Sequence, residues 1–269
     1  MDRHIQADRS SMNSTPEIQP AVSRLTSARK PARYAVRLAR TESDVRAAQL
    51  LRFLVFNVEL KEGLESSYHT MLDIDRFDAV CDHLLVEDCA TGEIVGTYRM
   101  QPGGRAASQL GYYSEQEFDF TPFEPIRSQL IELGRACIHQ QHRNFSVLNL
   151  LWKGITEYTE LHGARWVVGC SSLTSQDPVQ GWAAYRAMEA HRAPEAFQTR
   201  PLPGWECAEV DAAPRWSEVP RLLTAYLTLG AILCAPPALD REFRTIDFLT
   251  LCDIRTLTNR RYRRLCNSL

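Results

Sequence analysis

The chain has 269 residues, 44% hydrophobic and 24% charged, which suits one large globular domain with or without a tail. A formal charge of −2 speaks against nucleic acid as a main partner, and eight cysteines spaced singly, with no CxxC pair, speak against a disulfide framework or a zinc site. The first residues lack the apolar core of a secretory leader, and the apolar run 222–239 is broken at Pro236-Pro237, so neither export nor a membrane span is expected.

Residues 1–33, rich in Ser, Thr, Pro and Arg, are expected to be a disordered tail, either a dispensable extension or a docking arm. Residues 34–269 are expected to form a single domain. A first strand is predicted over 34–39. Thr41-x-x-Asp44 then reads as a capping box opening a helix to about residue 60, with Val45, Ala48, Leu51, Val55 and Val58 on one face. Arg52 stands beside that stripe and is either solvated or turned toward a ligand or partner.

The stretch 61–81 is long, polar and acid-rich for a loop inside a compact domain. Its aspartates, Asp73, Asp75 and Asp78, either hold a cationic amine or pair with arginine to pin the loop. Strands over 82–88 and 93–100 form a hairpin through Ala90-Thr91-Gly92. His83 and Asp88 match the His-x4-Asp signature of glycerolipid acyltransferases, but positions five apart on a strand face opposite ways, so no catalytic pair is expected. A short helix is predicted near 106–111. Phe118, Phe120 and Phe123 read as core or pocket wall.

The centre of the chain is 129–170, read as strand, tight loop, amphipathic helix and strand. Glu132 and Arg135 interrupt an apolar strand, and Val147, Leu150, Leu151, Gly154, Tyr158 and Leu161 recur at helical spacing after the loop 139–144. A strand that feeds a helix through a short loop leaves backbone N–H groups free for an anionic or carbonyl-bearing ligand. Beyond it, a helix is predicted over 176–190, a strand over 205–210, a largely uncharged helix over 220–234 and a last strand over 243–251. The run 255–264 holds five arginines and no acid, and is either a solvated tail or a surface for anionic lipid. No GxGxxG, P-loop, GxSxG or HExxH is present.

The segments LRFLVF (51–56), DRFDAVCDHLLV (75–86), GTYRM (96–100), ELGRACIHQQHRN (132–144), LLWKGI (150–155), GCSSL (169–173) and PPALDREFRTIDFLTLCDI (236–254), taken together and in order, resemble the hemolysin-like ornithine N-alpha-acyltransferases of ornithine-lipid synthesis. That family is a branch of the GNAT superfamily. The resemblance implies an α/β (α+β) fold with a mixed, mostly antiparallel twisted sheet, flanking helices and a splayed central strand pair. It implies transfer of a 3-hydroxyacyl chain from the phosphopantetheine of acyl carrier protein to the alpha-amine of L-ornithine, with no bound cofactor. Acyl-homoserine-lactone synthases are more distantly similar, and Arg52, Phe56, Asp75, Asp78, Arg99, Glu132 and Arg135 fall on their motif positions. The tryptophan they carry after the Val-Phe pair is missing from 57–63, so an S-adenosylmethionine pocket is not expected.

On this resemblance Glu132 is the expected base, with His139 as competitor, and Gly134 marks the bulge whose neighbour Arg135 lies beside the oxyanion donor. Asp73, Asp75, Asp78, Arg99 and Arg52 are expected around the amino acid. Phe56, Ala136, Cys137, Ile138, His139 and Arg143 are expected around the acyl-pantetheine arm, and Arg143 and Lys153 toward the carrier protein. Coenzyme-A-using relatives carry glycines in the loop that meets the diphosphate. The loop 140–146 has none, which favours the carrier protein as donor.

Overall fold

A computed structural model describes residues 32–256. The expected tail lies outside that range except for its last two residues, and the basic run 255–264 lies outside it except for Arg255 and Thr256.

The strands are β1 (Tyr34–Leu38), β2 (Asp82–Asp88), β3 (Glu93–Pro102), β4 (Leu130–Ile138), β5 (Trp166–Leu173), β6 (Ile232–Leu233), β7 (Ala238–Asp240) and β8 (Thr245–Asp253). They form one sheet in the order β1-β2-β3-β4-β5-β8-β6, with β7 also on β8. Every pairing is antiparallel except β4 with β5. This parallel pair is registered only from Leu130↔Trp166 to Glu132↔Val168, after which β5 continues on β8 and β4 on β3. The two strands therefore part immediately after Glu132, as a splayed pair requires. Gly169 stands at the fork. A Cβ there would lie 2.2 Å from the Leu133 carbonyl oxygen, so only glycine permits this approach.

Helix α1 (Glu42–Phe53) begins with the predicted capping box, Thr41 accepting from the Asp44 N–H and Asp44 from the Thr41 N–H. It continues as a π-helix, Leu54–Glu59, in which the Leu60 N–H reaches the Val55 carbonyl. The wider turn rotates the face: Asn57 is buried, and Val58, expected on the apolar stripe, is exposed. Short helices α2 (Ser67–Thr70) and α3 (Gly103–Ser108) follow, the latter starting earlier than predicted. Helix α4 (Phe145–Leu161) packs Leu151 and Ile155 on one face of the sheet with Tyr98 and Met100. Against the other face lie Phe118, Phe120 and Phe123, with Leu249 and Leu251 of β8. Helix α5 (Pro178–Ala187) is close to its expected span.

The end of the chain departs most from expectation. The predicted helix over 220–234 is α6 (Arg221–Leu229), stopped where Gly230 turns left-handed at φ 104°, and its remainder supplies β6. The predicted strand over 205–210 makes only a single bridge, Glu206↔Ala238. The last strand starts two residues later than predicted, after a turn through Arg244 at φ 58°. His83 and Asp88 are both buried but do not meet. The His83 ring faces the Asp78 carbonyl, while Asp88 accepts from Arg33 and the Ala90 N–H. The residue inserted at the Val86/Glu87 register shift is Val95 of β3, while β2 runs on β1 without a break, so the alternation that places His83 and Asp88 on opposite faces holds. None of the helices among the described residues is long and apolar enough to cross a membrane.

Candidate active site

A cavity of about 750 Å³ passes through the fork between β4 and β5. On the α4 face its wall is apolar: Leu148, Leu151 and Trp152 of α4, with Ala225, Tyr226 and Leu229 of α6. On the opposite face it is polar, with Gln101, Tyr113, Ser114, Glu132, Cys170 and Asp247. One space thus joins a greasy chamber to a polar one across the sheet.

Glu132 sits where the two meet, 5% exposed. Its Oε1 accepts from the Ser114 N–H and the Ser114 hydroxyl, both at 2.7 Å, and its Oε2 from the Tyr113 N–H at 2.7 Å. Tyr113 and Ser114 open a 3-10 turn, Tyr113–Gln116, so these donors have no partner within the turn. Burial pushes the Glu132 carboxyl above the usual range, although the Ser114 and Tyr113 donors pull the other way. The result is a carboxylate fixed in orientation and more basic than an exposed one.

Next to it β4 bulges. Thr97 pairs with Cys137 and Arg99 with Gly134, so Arg135 and Ala136 together face Tyr98 alone. The left-handed residue of the bulge is Arg135, at φ 51°, and not Gly134. Arg135 is held there by the rings of Tyr113 and Phe243, 4.6 and 4.2 Å from its guanidinium carbon, and by ion pairs. Gly134 shares the face of Glu132, and a Cβ added to it meets nothing within 4 Å. Glycine at this position keeps the space beside the carboxylate open.

Below the cavity wall, Arg52 pairs with Asp73 and Asp78 at 2.8 and 2.7 Å, and Arg99 with Asp75 and Asp78 at 2.6 and 3.0 Å. Arg135 pairs with Asp75 and Asp73 at 2.8 and 3.4 Å. Against the opposing effect of burial, Arg99 and Arg135 hold the Asp75 carboxyl below the carboxylate range, and Arg52 and Arg99 hold that of Asp78 well below it. Each aspartate is matched by an arginine, and the group is close to neutral.

Residues 51–153 match the acetyltransferase (GNAT) domain. Over 248 residues the chain is 31% identical to the L-ornithine N(alpha)-acyltransferase of Rhodobacter capsulatus, covering 86% of this chain and 93% of that one. Over 244 residues it is 33% identical to the enzyme of the same name from Brucella abortus, covering 84% and 86%. The chain belongs to the L-ornithine N(alpha)-acyltransferase family. It is an acyltransferase with a GNAT-like fold. Among solved structures it is similar in fold to FeeM, an N-acyl amino acid synthase from uncultured soil microbes, with a TM-score of 0.52 at 9% identity over 84% of this chain and 94% of that one. It is likewise similar to TofI, solved with an inhibitor and MTA, with a TM-score of 0.51 at 16% identity over 87% and 100%.

The structure sorts the residues expected for this family's site into two groups. Glu132, Gly134, Arg135 and Arg99 line the cavity, as do Phe56, Ala136, Cys137, Ile138 and Arg143. Arg52, Asp73, Asp75 and Asp78 do not. Arg52 is fully buried rather than solvated, and Asp75 faces a second, smaller cavity beside Arg76 and Phe77. His139 is also off the wall, its ring accepting from the Gln141 N–H. Arg143 at the cavity wall is clamped by Glu59 at 2.5 and 2.8 Å, and Lys153 is exposed beside Glu157.

Several cavity residues were not anticipated: Gln101, Ser114, Cys170, Asp240 and Asp247, with Glu117 behind them. Asp247 did leave a signal, as the single charge in the apolar run Ile246–Leu251. Ser114 left none, because its link to Glu132 joins residues 18 apart with no pattern between them.

Proposed function

We propose that the protein transfers a 3-hydroxyacyl chain from the phosphopantetheine of acyl carrier protein to the α-amine of L-ornithine, giving lyso-ornithine lipid, the first step of ornithine lipid synthesis. The observation that carries this reading is Glu132, buried and held by three hydrogen bonds where an apolar and a polar chamber meet at the strand fork. The acyl chain fits the chamber between α4 and α6, and the amino acid fits the polar one.

An ammonium is not a nucleophile, so Glu132 takes the proton of the α-amine, directly or through water. The amine nitrogen attacks the thioester carbon, whose oxygen becomes an oxyanion beside the backbone N–H groups at the Arg135–Ala136 bulge. As the intermediate collapses, the C–S bond breaks, the nitrogen gives up its second proton to the departing thiolate and becomes the amide, and the proton held by Glu132 is released to solvent.

Two features favour carrier protein over coenzyme A as donor. The loop 140–146 contains no glycine, so a diphosphate meets side chains there instead of bare backbone. The N-terminus of α4 is already capped, Asn144 Oδ1 accepting from the Val147 N–H at 3.2 Å. We extend the reading to peripheral contact with anionic lipid through the run 255–264, each arginine adding on the order of 1 kcal/mol near such a surface.

Purified protein is to be given 3-hydroxyacyl-carrier protein, or the matching acyl-coenzyme A, with a panel of amino acids, following thiol release and product mass. Thiol release with ornithine and carrier-bound donor is the expected result. Turnover with a different amine discards the substrate, and turnover only with coenzyme A discards the donor. Co-sedimentation with anionic but not neutral vesicles is expected; equal binding to both removes the membrane element.

A further inference from the structure

The acids first considered for amine binding, Asp73, Asp75 and Asp78, are already matched by Arg52, Arg99 and Arg135 and lie off the cavity wall. A second group of carboxylates is on the cavity and has no such partners among the described residues. Asp240 and Asp247 line it and are 2% and 4% exposed. Glu117, fully buried, stands behind them, and its carboxylate, the Cys170 sulfur and the Asp247 carboxylate lie within 4.8 Å of one another. Glu62 adds a further buried carboxylate to the same wall, accepting from Thr174. Arg135, whose charge acts on Glu117, is committed to Asp73 and Asp75.

Independent of the acids, two neutral side chains point to a missing ligand. Gln101 is 1% exposed and lines the cavity with both amide atoms lacking a hydrogen-bond partner among the described residues; it sits directly across the strand pair from Glu132. The Thr245 hydroxyl, also 1% exposed and on the wall, lies close enough to Asp247 to pull on its carboxyl, yet among the described residues neither it nor Asp247 Oδ1 makes a hydrogen bond of good geometry. Buried polar groups are rarely left this way unless something enters to satisfy them.

We propose that Asp247, with Asp240 and Glu117, forms the subsite for the side-chain ammonium of the amine substrate, and that Gln101 takes its α-carboxylate end. This rests on the reading of ornithine as acceptor. From Glu132 the polar wall runs through Ser114, 2.7 Å away, to Cys170, 3.4 Å further, and then to Glu117 at 3.8 Å. Only two side chains therefore separate the base from the acidic group. An amino acid laid along that wall puts its α-amine at Glu132 and a terminal ammonium at Asp247. Burial, with Asp247 and Asp240 beside it, pushes Glu117 well above the carboxylate range, as befits an acidic group whose counter-charge arrives with the ligand. A metal ion is the rival occupant of Glu117, Cys170 and Asp247. Burial and the neighbouring acids push the Cys170 thiol well above its ordinary value in the metal-free site, and direct zinc titration distinguishes the two occupants.

The test is calorimetric titration of the full-length protein with L-ornithine and with L-norvaline, which has the same carbon chain but no side-chain amine. Wild type is expected to prefer ornithine by at least about tenfold, the usual scale for a buried charge pair. Asp247→Asn is expected to erase most of that preference. Asp240→Asn, whose amide oxygen can still cap the Glu242 and Phe243 N–H groups, gives a second reading should Asp247→Asn fail to fold. Equal affinity of wild type for the two ligands overturns the proposal, as does an unchanged preference in a folded variant. It is also overturned if zinc binds wild type and is lost in Asp247→Asn while ornithine affinity stays the same. Thiol release measured in parallel separates the two ideas: ornithine binding that depends on Asp247 without acylation keeps the subsite and sinks the acceptor reading. Acylation of ornithine that ignores Asp247 does the reverse.

Discussion

In the proposed role of base, what matters at Glu132 is that burial and anchoring act in opposite directions on one carboxyl. Burial alone would leave it protonated and free to turn; the Tyr113 and Ser114 donors keep both oxygens placed and limit the rise in pKa. Glu132→Gln keeps the size of the side chain and is expected to lower kcat by about 10²–10⁴-fold with little change in ornithine KM. Because the base must be ionised, wild-type kcat/KM should rise with pH through an ionisation above the ordinary glutamate range, and that limb should vanish in the variant. A limb at the position of an exposed glutamate would assign it to another group. Gly134 makes a complementary test. Since a Cβ there meets only open space on the Glu132 side, Gly134→Val should fold with a melting temperature near wild type and lose acyl transfer; retained turnover would move the amine elsewhere. Glu132 could be found from sequence because a charge within an apolar strand beside an open loop is conspicuous. Gln101 could not, since an amide near a strand end looks like any surface residue until its partner strand is known.

At the scale of elements, the acid-rich loop 61–81 owes its place to the arginines beneath it. Arg52 of α1 is fully buried, its guanidinium serving Asp73 and Asp78, residues 21 and 26 positions further on. Helical periodicity placed it only beside an apolar stripe, because the burial of an arginine is decided by long-range partners and not by its own helix. Arg52→Ala leaves these aspartates in a buried site without their main counter-charge. It is expected to cost on the order of 3–5 kcal/mol in a denaturant titration and to loosen the loop in hydrogen exchange. A change below about 1 kcal/mol would mean that Arg99 and Arg135 suffice to hold the loop. The same division holds elsewhere. The hairpin, the capping box and α4 were readable because turn residues and periodicity lie close together in sequence. The break at Gly230 was not, because the apolar run continues unchanged from α6 into β6, and only pairing with β8 makes its second part a strand.

At the scale of the whole molecule, the acidic subsite carries a stability cost that the rest of the fold must cover. Burial, with Asp240 beside it, raises the Asp247 carboxyl from its ordinary 3.8 to about 6, against the pull of Ser172, Thr245 and Glu117. Protonated Asp247 suits the folded, ligand-free protein; ionised Asp247 does not. Its contribution is therefore fully present below the unfolded-state pKa near 4 and is lost as pH rises through about 6. A displacement of that size corresponds to about 3 kcal/mol, or a melting-temperature change of about 5–10 °C for a domain of this size. Asp44, Asp75 and Asp78 are shifted downward and give the opposite trend, so the useful quantity is the difference between wild type and Asp247→Asn. Without ligand, that difference should move in favour of the variant by this amount between pH 4 and pH 8. A difference independent of pH would mean that Asp247 is solvated as well in the folded protein as in the unfolded chain. Saturating ornithine should shrink the gap at pH 8 by stabilising wild type more than the variant. A variant that melts higher but binds its cation poorly is the pattern expected when a buried charge is kept for a ligand and not for the fold.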